Sequence, residues 1–134
     1  MKVFVDASAL IALNDRTDQF HSDATELFRQ NVRQHTQWIT TNYVLIETLN
    51  YLKSLAGHYV AEDFGNHFRR GRFTALQWID EALDQLVWEF FNKHRDHAWS
   101  YVDCASFVVM RRENIQLAFT FDEHFRQAGF QTLK

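Results

Sequence analysis

The sequence predicts a three-layer α/β/α domain around a central, mostly parallel sheet of four to five strands. Short runs rich in β-branched and aromatic residues alternate along the chain with longer stretches of helical character, the order that builds a parallel sheet with crossover helices. Right-handed crossovers then put helices on both faces. No proline, low-complexity tract, repeat or linker interrupts the 134 residues, so one domain, 1–134, is expected.

Strands are expected at Lys2–Val5, Gln37–Thr40, Phe73–Trp78, Leu117–Thr120 and Gln131–Leu133. Each is a short β-branched or aromatic run. Helices are expected at Ser8–Leu13, Asp18–Arg33, Tyr43–Ala56, Val60–Phe68, Asp80–Lys93, Tyr101–Glu113 and, briefly, Glu123–Gln127. Gly57 and Gly129 fall where helices should stop, because glycine takes a left-handed cap at no steric cost. In such folds ligands bind beyond the carboxyl ends of the strands.

With 46% apolar and 16% aromatic residues, the chain has material for a real core, burying roughly two thirds of its unfolded surface. The aromatic excess also leaves room for a partner groove or a homodimer face. A net charge of −3 argues against a protein built to coat nucleic acid but not against an enzyme with an acidic site and a local basic rim. Cys104 is the single cysteine, so no internal disulfide forms and a reducing compartment is expected. The start MKVFVDASAL lacks the long apolar core of a signal peptide, and no stretch reaches membrane-spanning length, so a cytoplasmic protein without membrane contact is expected.

Three acids stand in places where acids are costly. Asp6 follows Val3-Phe4-Val5, and Asp122 follows Leu117-Ala118-Phe119-Thr120-Phe121, so each lies just past a strand. Singly, either is an ordinary helix cap. Asp103 sits in a helix whose residues Val102, Cys104, Ala105, Phe107, Val108, Val109 and Met110 are apolar in nearly every direction, with Ser106 on its own face. A helix apolar all round is buried, and an unpaired buried carboxylate costs several kcal/mol or protonates. Ser100 could form a capping box with it, which explains the position but not the choice of an acid for such surroundings.

Glu47 lies beside Tyr51 at the edge of the apolar arc of Tyr43–Leu52, where it can reach solvent as readily as a site. Together the four acids can converge at one sheet edge, and their repulsion calls for a cation. Oxygen ligands with no cysteine among them select Mg²⁺ or Mn²⁺ over zinc. Such an ion supports phosphodiester hydrolysis.

VFVDASALIAL, TTNYVLIETLNYL, YVDCASFVVMRRENI and AFTFDEHFRQAGF resemble, in order, the characteristic blocks of PIN-domain nucleases, especially VapC-type toxins. The resemblance spans essentially the whole chain. It implies an acidic site of Asp6, Glu47, Asp103 and Asp122, with Thr120 similar to the family's hydroxyl before its last acid and Ser8 similar to its small polar residue after the first. It further implies one or two Mg²⁺ or Mn²⁺ ions, endonucleolytic RNA cleavage leaving a 3′-hydroxyl and a 5′-phosphate, and a cognate antitoxin protein. Asp6 and Asp103 would bind the main ion directly, and Asp122 directly or through water. Glu47 would act through water or as the base for the attacking water.

Arg69, Arg70 and Arg72 could grip RNA phosphates at the rim, or simply cap a helix end. Lys93, Arg95, Arg111 and Arg112 read as solvated charges. His94, His97 and His124 read as surface histidines, because zinc would need more ligands than this chain supplies, although His124, two residues after Asp122, is close enough to the expected site to influence it. Two alternatives differ in function. A PIN-fold nuclease could act outside a toxin–antitoxin pair, on RNA processing or on DNA. A receiver-like signalling domain also gathers acids at strand ends, but Asp6 has no acidic neighbour and no lysine follows the last strand in the expected place.

Overall fold

The computed structural model describes residues 1–71 and 74–133. The described chain runs β1 (Lys2–Val5), α1 (Ala7–Asn14), α2 (His21–Val32), β2 (Gln37–Thr41), α3 (Asn42–Ala56) and α4 (His58–Arg69). It continues with β3 (Thr74–Gln77), α5 (Glu81–Lys93), α6 (Tyr101–Arg112), β4 (Leu117–Phe119), α7 (His124–Gln127) and β5 (Gln131–Thr132). Phe73, expected to open the third strand, lies outside the described residues. The five strands form one sheet in the order β3-β2-β1-β4-β5, and every pairing is parallel.

That order sets where a site can form. From β1 the chain steps to β2 and then β3 on one side; β4 and β5 extend the sheet on the other. With right-handed crossovers, α1–α4 cover one face and α5–α7 the opposite one. Within each face the helices pack as expected, α1 against α2 and α3, α3 against α4, α5 against α6, and α6 against α7, and α3 also meets α6. The winding reverses between β1 and β4, and the gap beyond their carboxyl ends is the switch point where such sheets hold ligands.

β1 is buried from Val3 to Val5, as a central parallel strand must be. Phe107 anchors the α6 face. It is fully buried and meets Trp99 and Phe125 edge-on at centroid distances of 5.1 and 5.0 Å. The aromatic excess serves core and surface alike: Phe4, Phe107, Phe119 and Phe125 are buried, whereas Trp78 and Trp88 are exposed. Gly57 joins α3 to α4 with φ at +94°, a backbone state that any side chain would strain.

Helix starts depart from expectation where a side chain turns the chain first. Asp18 accepts a hydrogen bond from the Phe20 N–H at 2.8 Å, making a turn that delays α2 to His21. At the other end of the sheet, Thr120 leaves the β4 ladder and turns its hydroxyl toward Asp6. Among the described residues no buried side-chain nitrogen or oxygen lacks a partner, and no helix is long and apolar enough to cross a membrane.

Candidate active site

Asp6 leaves the end of β1 through an N–H bond to the Phe119 carbonyl at 3.0 Å and caps α1. Its Oδ2 accepts from the Ser8 hydroxyl at 2.7 Å, the Thr120 hydroxyl at 2.9 Å and the Ser8 N–H at 3.3 Å. Each hydroxyl gives its one proton to Asp6, so the 3.2 Å approach of Ser8 Oγ to Thr120 Oγ1 is a contact rather than a further bond. The same hydroxyls accept from the next strand end: the Phe121 N–H reaches Ser8 at 3.0 Å and the Asp122 N–H reaches Thr120 at 3.0 Å. Ser8 and Thr120 thereby tie the ends of β1 and β4 together.

Asp103 forms the capping box the sequence allowed. Its N–H bonds the Ser100 hydroxyl at 3.0 Å, and its Oδ2 accepts the Ser100 N–H at 3.1 Å. The structural role does not exclude a functional one, because Oδ2 also meets His124 Nδ1 at 2.9 Å. His124 Nδ1 lies 3.4 Å from Asp122 Oδ1 as well, and that oxygen accepts the His124 N–H at 2.9 Å.

In each of the three aspartates one oxygen is held by these donors. Among the described residues no hydrogen bond reaches the other: Oδ1 of Asp6, Oδ1 of Asp103 and Oδ2 of Asp122. None of the three is a sealed orphan. Carboxylates fixed through one oxygen and open at the other suit a hard divalent cation, which takes oxygen ligands and keeps several waters. Asp103, Asp122 and His124 form the tightest donor group, with ligand atoms all within 4.8 Å of one another, and Asp6 stands outside that trio.

The charges of the four predicted acids act on one another. Burial first, and then the charge of Asp103, raise the Asp6 carboxyl above its ordinary range against the pull of Ser8 and Thr120. Glu47 is an exposed residue on α3, yet its carboxyl is pushed up to about 7, first by desolvation and then by Asp6, Asp103 and Asp122. The hydrogen bond that the His124 imidazole gives to Asp103 raises its pKa, with the charges of Asp122, Asp103 and Asp6 adding to it.

These three shifts share a sign. A group whose folded pKa lies above its unfolded one loses stabilising protonation as pH rises through the folded value. Glu47 does so between about 4.5 and about 7; Asp6 starts lower, and His124 extends the loss above its ordinary 6.5. The lowered acids, Asp15, Glu26 and Asp84, act only below their ordinary 3.8 to 4.5. Chelator-treated protein is therefore expected to melt higher at pH 5.5 than at pH 8. A melting temperature level or rising across that interval contradicts the convergence of charge.

The remaining predicted residues separate. Ser106 donates to the Val102 carbonyl at 3.0 Å, an i−4 bond within its own helix, and does not join the network. Arg69 lines a groove with Leu45, Leu49 and Trp78, and this groove shares Ile46 with the cleft that holds Glu47. Arg70 is exposed beside it, and Arg72 lies outside the described residues. Glu123 turns away to Arg126 at 2.6 Å. His97 stacks on Trp99 at 3.9 Å, whereas His124, read from sequence as a surface histidine, faces the acids. Its spacing of two from Asp122 is the signal that puts it near the expected site.

The fold is an α/β/α domain with carboxylates gathered near the switch point of its sheet. The PIN-domain family model matches residues 3–131, and the chain belongs to that family. It is 33% identical over 128 residues to the 23S rRNA-specific endonuclease VapC20 of Mycobacterium tuberculosis, covering 96% of this chain and 95% of that relative. The crystal structure of M. tuberculosis VapC20, a Sarcin-Ricin loop cleaving toxin, superimposes with a TM-score of 0.88 at 32% identity, over 96% of this chain and 95% of that one. VapBC2 from Rickettsia felis, solved bound to a DNA fragment from its promoter, shares the fold at a TM-score of 0.69 and 10% identity, with 100% of both chains covered. The family match sets aside the receiver-like alternative.

Proposed function

We propose that the chain is a Mg²⁺- or Mn²⁺-dependent endoribonuclease and the toxin of a type II toxin–antitoxin pair. The convergence of Asp6, Glu47, Asp103 and Asp122 at the β1/β4 switch point carries this reading. Asp103 is the shared corner, facing Asp6 on one side and Asp122 on the other. Asp6 and Asp103 hold the cation directly, and Asp122 completes the set. A bound divalent cation supplies the positive charge that phosphodiester hydrolysis needs as negative charge builds on the phosphate.

The chain's own residues do the rest. Ser8 and Thr120 hold one oxygen of the Asp6 carboxylate and leave the other for the cation. Glu47 makes no hydrogen bond among the described residues and its carboxyl is pushed up to about 7. It is thus free to turn toward an attacking water and take its proton, since a general base works best near the operating pH. Arg69 and Arg70 guide the RNA backbone toward the site from the neighbouring groove.

The partners are an RNA substrate, a cognate antitoxin and a second copy of the chain; exposed Trp88 and Trp78 offer the apolar surface that such contacts use. The 33% identity to VapC20 makes 23S ribosomal RNA the first substrate to try, and a cytoplasmic setting follows from that substrate. The test is incubation of the full chain with ribosomal RNA and with single-stranded DNA, in Mg²⁺, Mn²⁺ or EDTA. RNA cleavage that EDTA stops is the expected result. Cleavage of DNA alone points to a nuclease outside the toxin–antitoxin systems, and cleavage that persists in EDTA overturns the site.

A further inference from the structure

We propose that His124 is itself a ligand of the cation, through Nδ1, and that the site therefore takes Mn²⁺ in preference to Mg²⁺. This rests on the reading above that the pocket binds a divalent ion, and it adds a nitrogen to a ligand set so far made only of oxygens. His124 opens α7 at the surface, where a histidine would be expected to face solvent. Its ring turns inward instead, and its side chain keeps 29% of its surface exposed. Nδ1 stands 2.9 Å from Asp103 Oδ2 and 3.4 Å from Asp122 Oδ1.

Those spacings put the imidazole beside both carboxylates at the separation that neighbouring ligands of one ion have. Adjacent ligands of a six-coordinate ion with bonds of ~2.1 Å stand ~3 Å apart, and opposite ligands ~4.2 Å apart. Each of Asp103, Asp122 and His124 offers a ligand atom within 4.8 Å of those of the other two, and each carboxylate keeps a second oxygen that accepts no hydrogen bond among the described residues. The ring is held for the task from its own backbone, because the His124 N–H is bonded to Asp122 Oδ1. Nε2 has no hydrogen-bond partner among the described residues, so the neutral tautomer with its proton on Nε2 can present the Nδ1 lone pair inward.

The chemical consequence is selectivity. All-oxygen sites suit Mg²⁺, whereas an imidazole nitrogen favours first-row transition ions over it. Mn²⁺ accepts both the two carboxylates and the nitrogen.

The experiment uses the full chain labelled with ¹⁵N-histidine, loaded with Mn²⁺ and studied by pulsed electron paramagnetic resonance. A ¹⁵N coupling to the Mn²⁺ ion is expected, and it should vanish in His124→Gln. Competitive titration of the same two proteins should show the Mn²⁺-over-Mg²⁺ preference falling about tenfold in the variant. His124→Gln replaces a partly exposed residue at a helix start with a good helix former, so the fold should survive, which circular dichroism checks. Mn²⁺ bound to wild type without histidine coupling overturns this proposal and leaves the carboxylate site standing. An unchanged preference in His124→Gln also overturns it. Failure of wild type to bind Mn²⁺ at all overturns both readings.

Discussion

Asp103→Asn is expected to lower cation-dependent RNA cleavage about a thousandfold or more while the protein stays folded. The loss of one charged ligand removes several kcal/mol of transition-state stabilisation, and ~4 kcal/mol is three decades in rate. The fold should survive because asparagine keeps the shape of the acid. Its amide oxygen can still accept the Ser100 N–H that now reaches Oδ2 at 3.1 Å, so the start of α6 remains capped. Removing a charge also relieves Asp6 and Glu47, both raised partly by Asp103. In chelator the variant should melt no lower than wild type. Cleavage retained by folded Asp103→Asn contradicts the assignment, and a large fall in melting temperature shows an acid kept for structure.

Phe107→Ala is expected to cost about 4 kcal/mol of stability, within the range for emptying a buried aromatic site. Phe107 is fully buried and its ring is shared by Trp99, Phe125 and Phe130, which come from different elements and cannot all close on the space. For a domain of this size that corresponds to a fall of roughly 10–20 °C in melting temperature, measurable by circular dichroism. A fall of less than about 3 °C would mean that the α6 face relaxes around the cavity far more than its packing allows.

What the sequence made legible was whatever depends on nearest neighbours. Val3-Phe4-Val5 followed by an acid marks a buried strand with a helix cap just past it, and both are there. The apolar surround of Asp103 marked α6 as buried, and it is. Where local chemistry offered two readings, the cap is observed for both: Asp6 caps α1 and Asp103 closes the capping box of α6, each leaving one carboxylate oxygen without a hydrogen bond among the described residues.

His124 was legible only in part: its spacing from Asp122 puts it near the expected site, but its contact with Asp103 joins segments 21 residues apart. Ser106 erred in the opposite direction. Its position one turn from Asp103 suggested the site, but a buried serine in a helix has the i−4 carbonyl closer to hand. Glu47 lay between these cases, since its helical position fixed the edge it occupies but not what stood across from it.

Crystals soaked in Mn²⁺, with diffraction recorded near the manganese absorption edge, test most directly whether these carboxylates make one cation site. The prediction is a single dominant anomalous peak in the pocket beyond β1 and β4, within bonding distance of Asp103 and at least one of Asp6 and Asp122. A fully soaked crystal with no peak there, or with its strongest peak elsewhere on the protein, would contradict it.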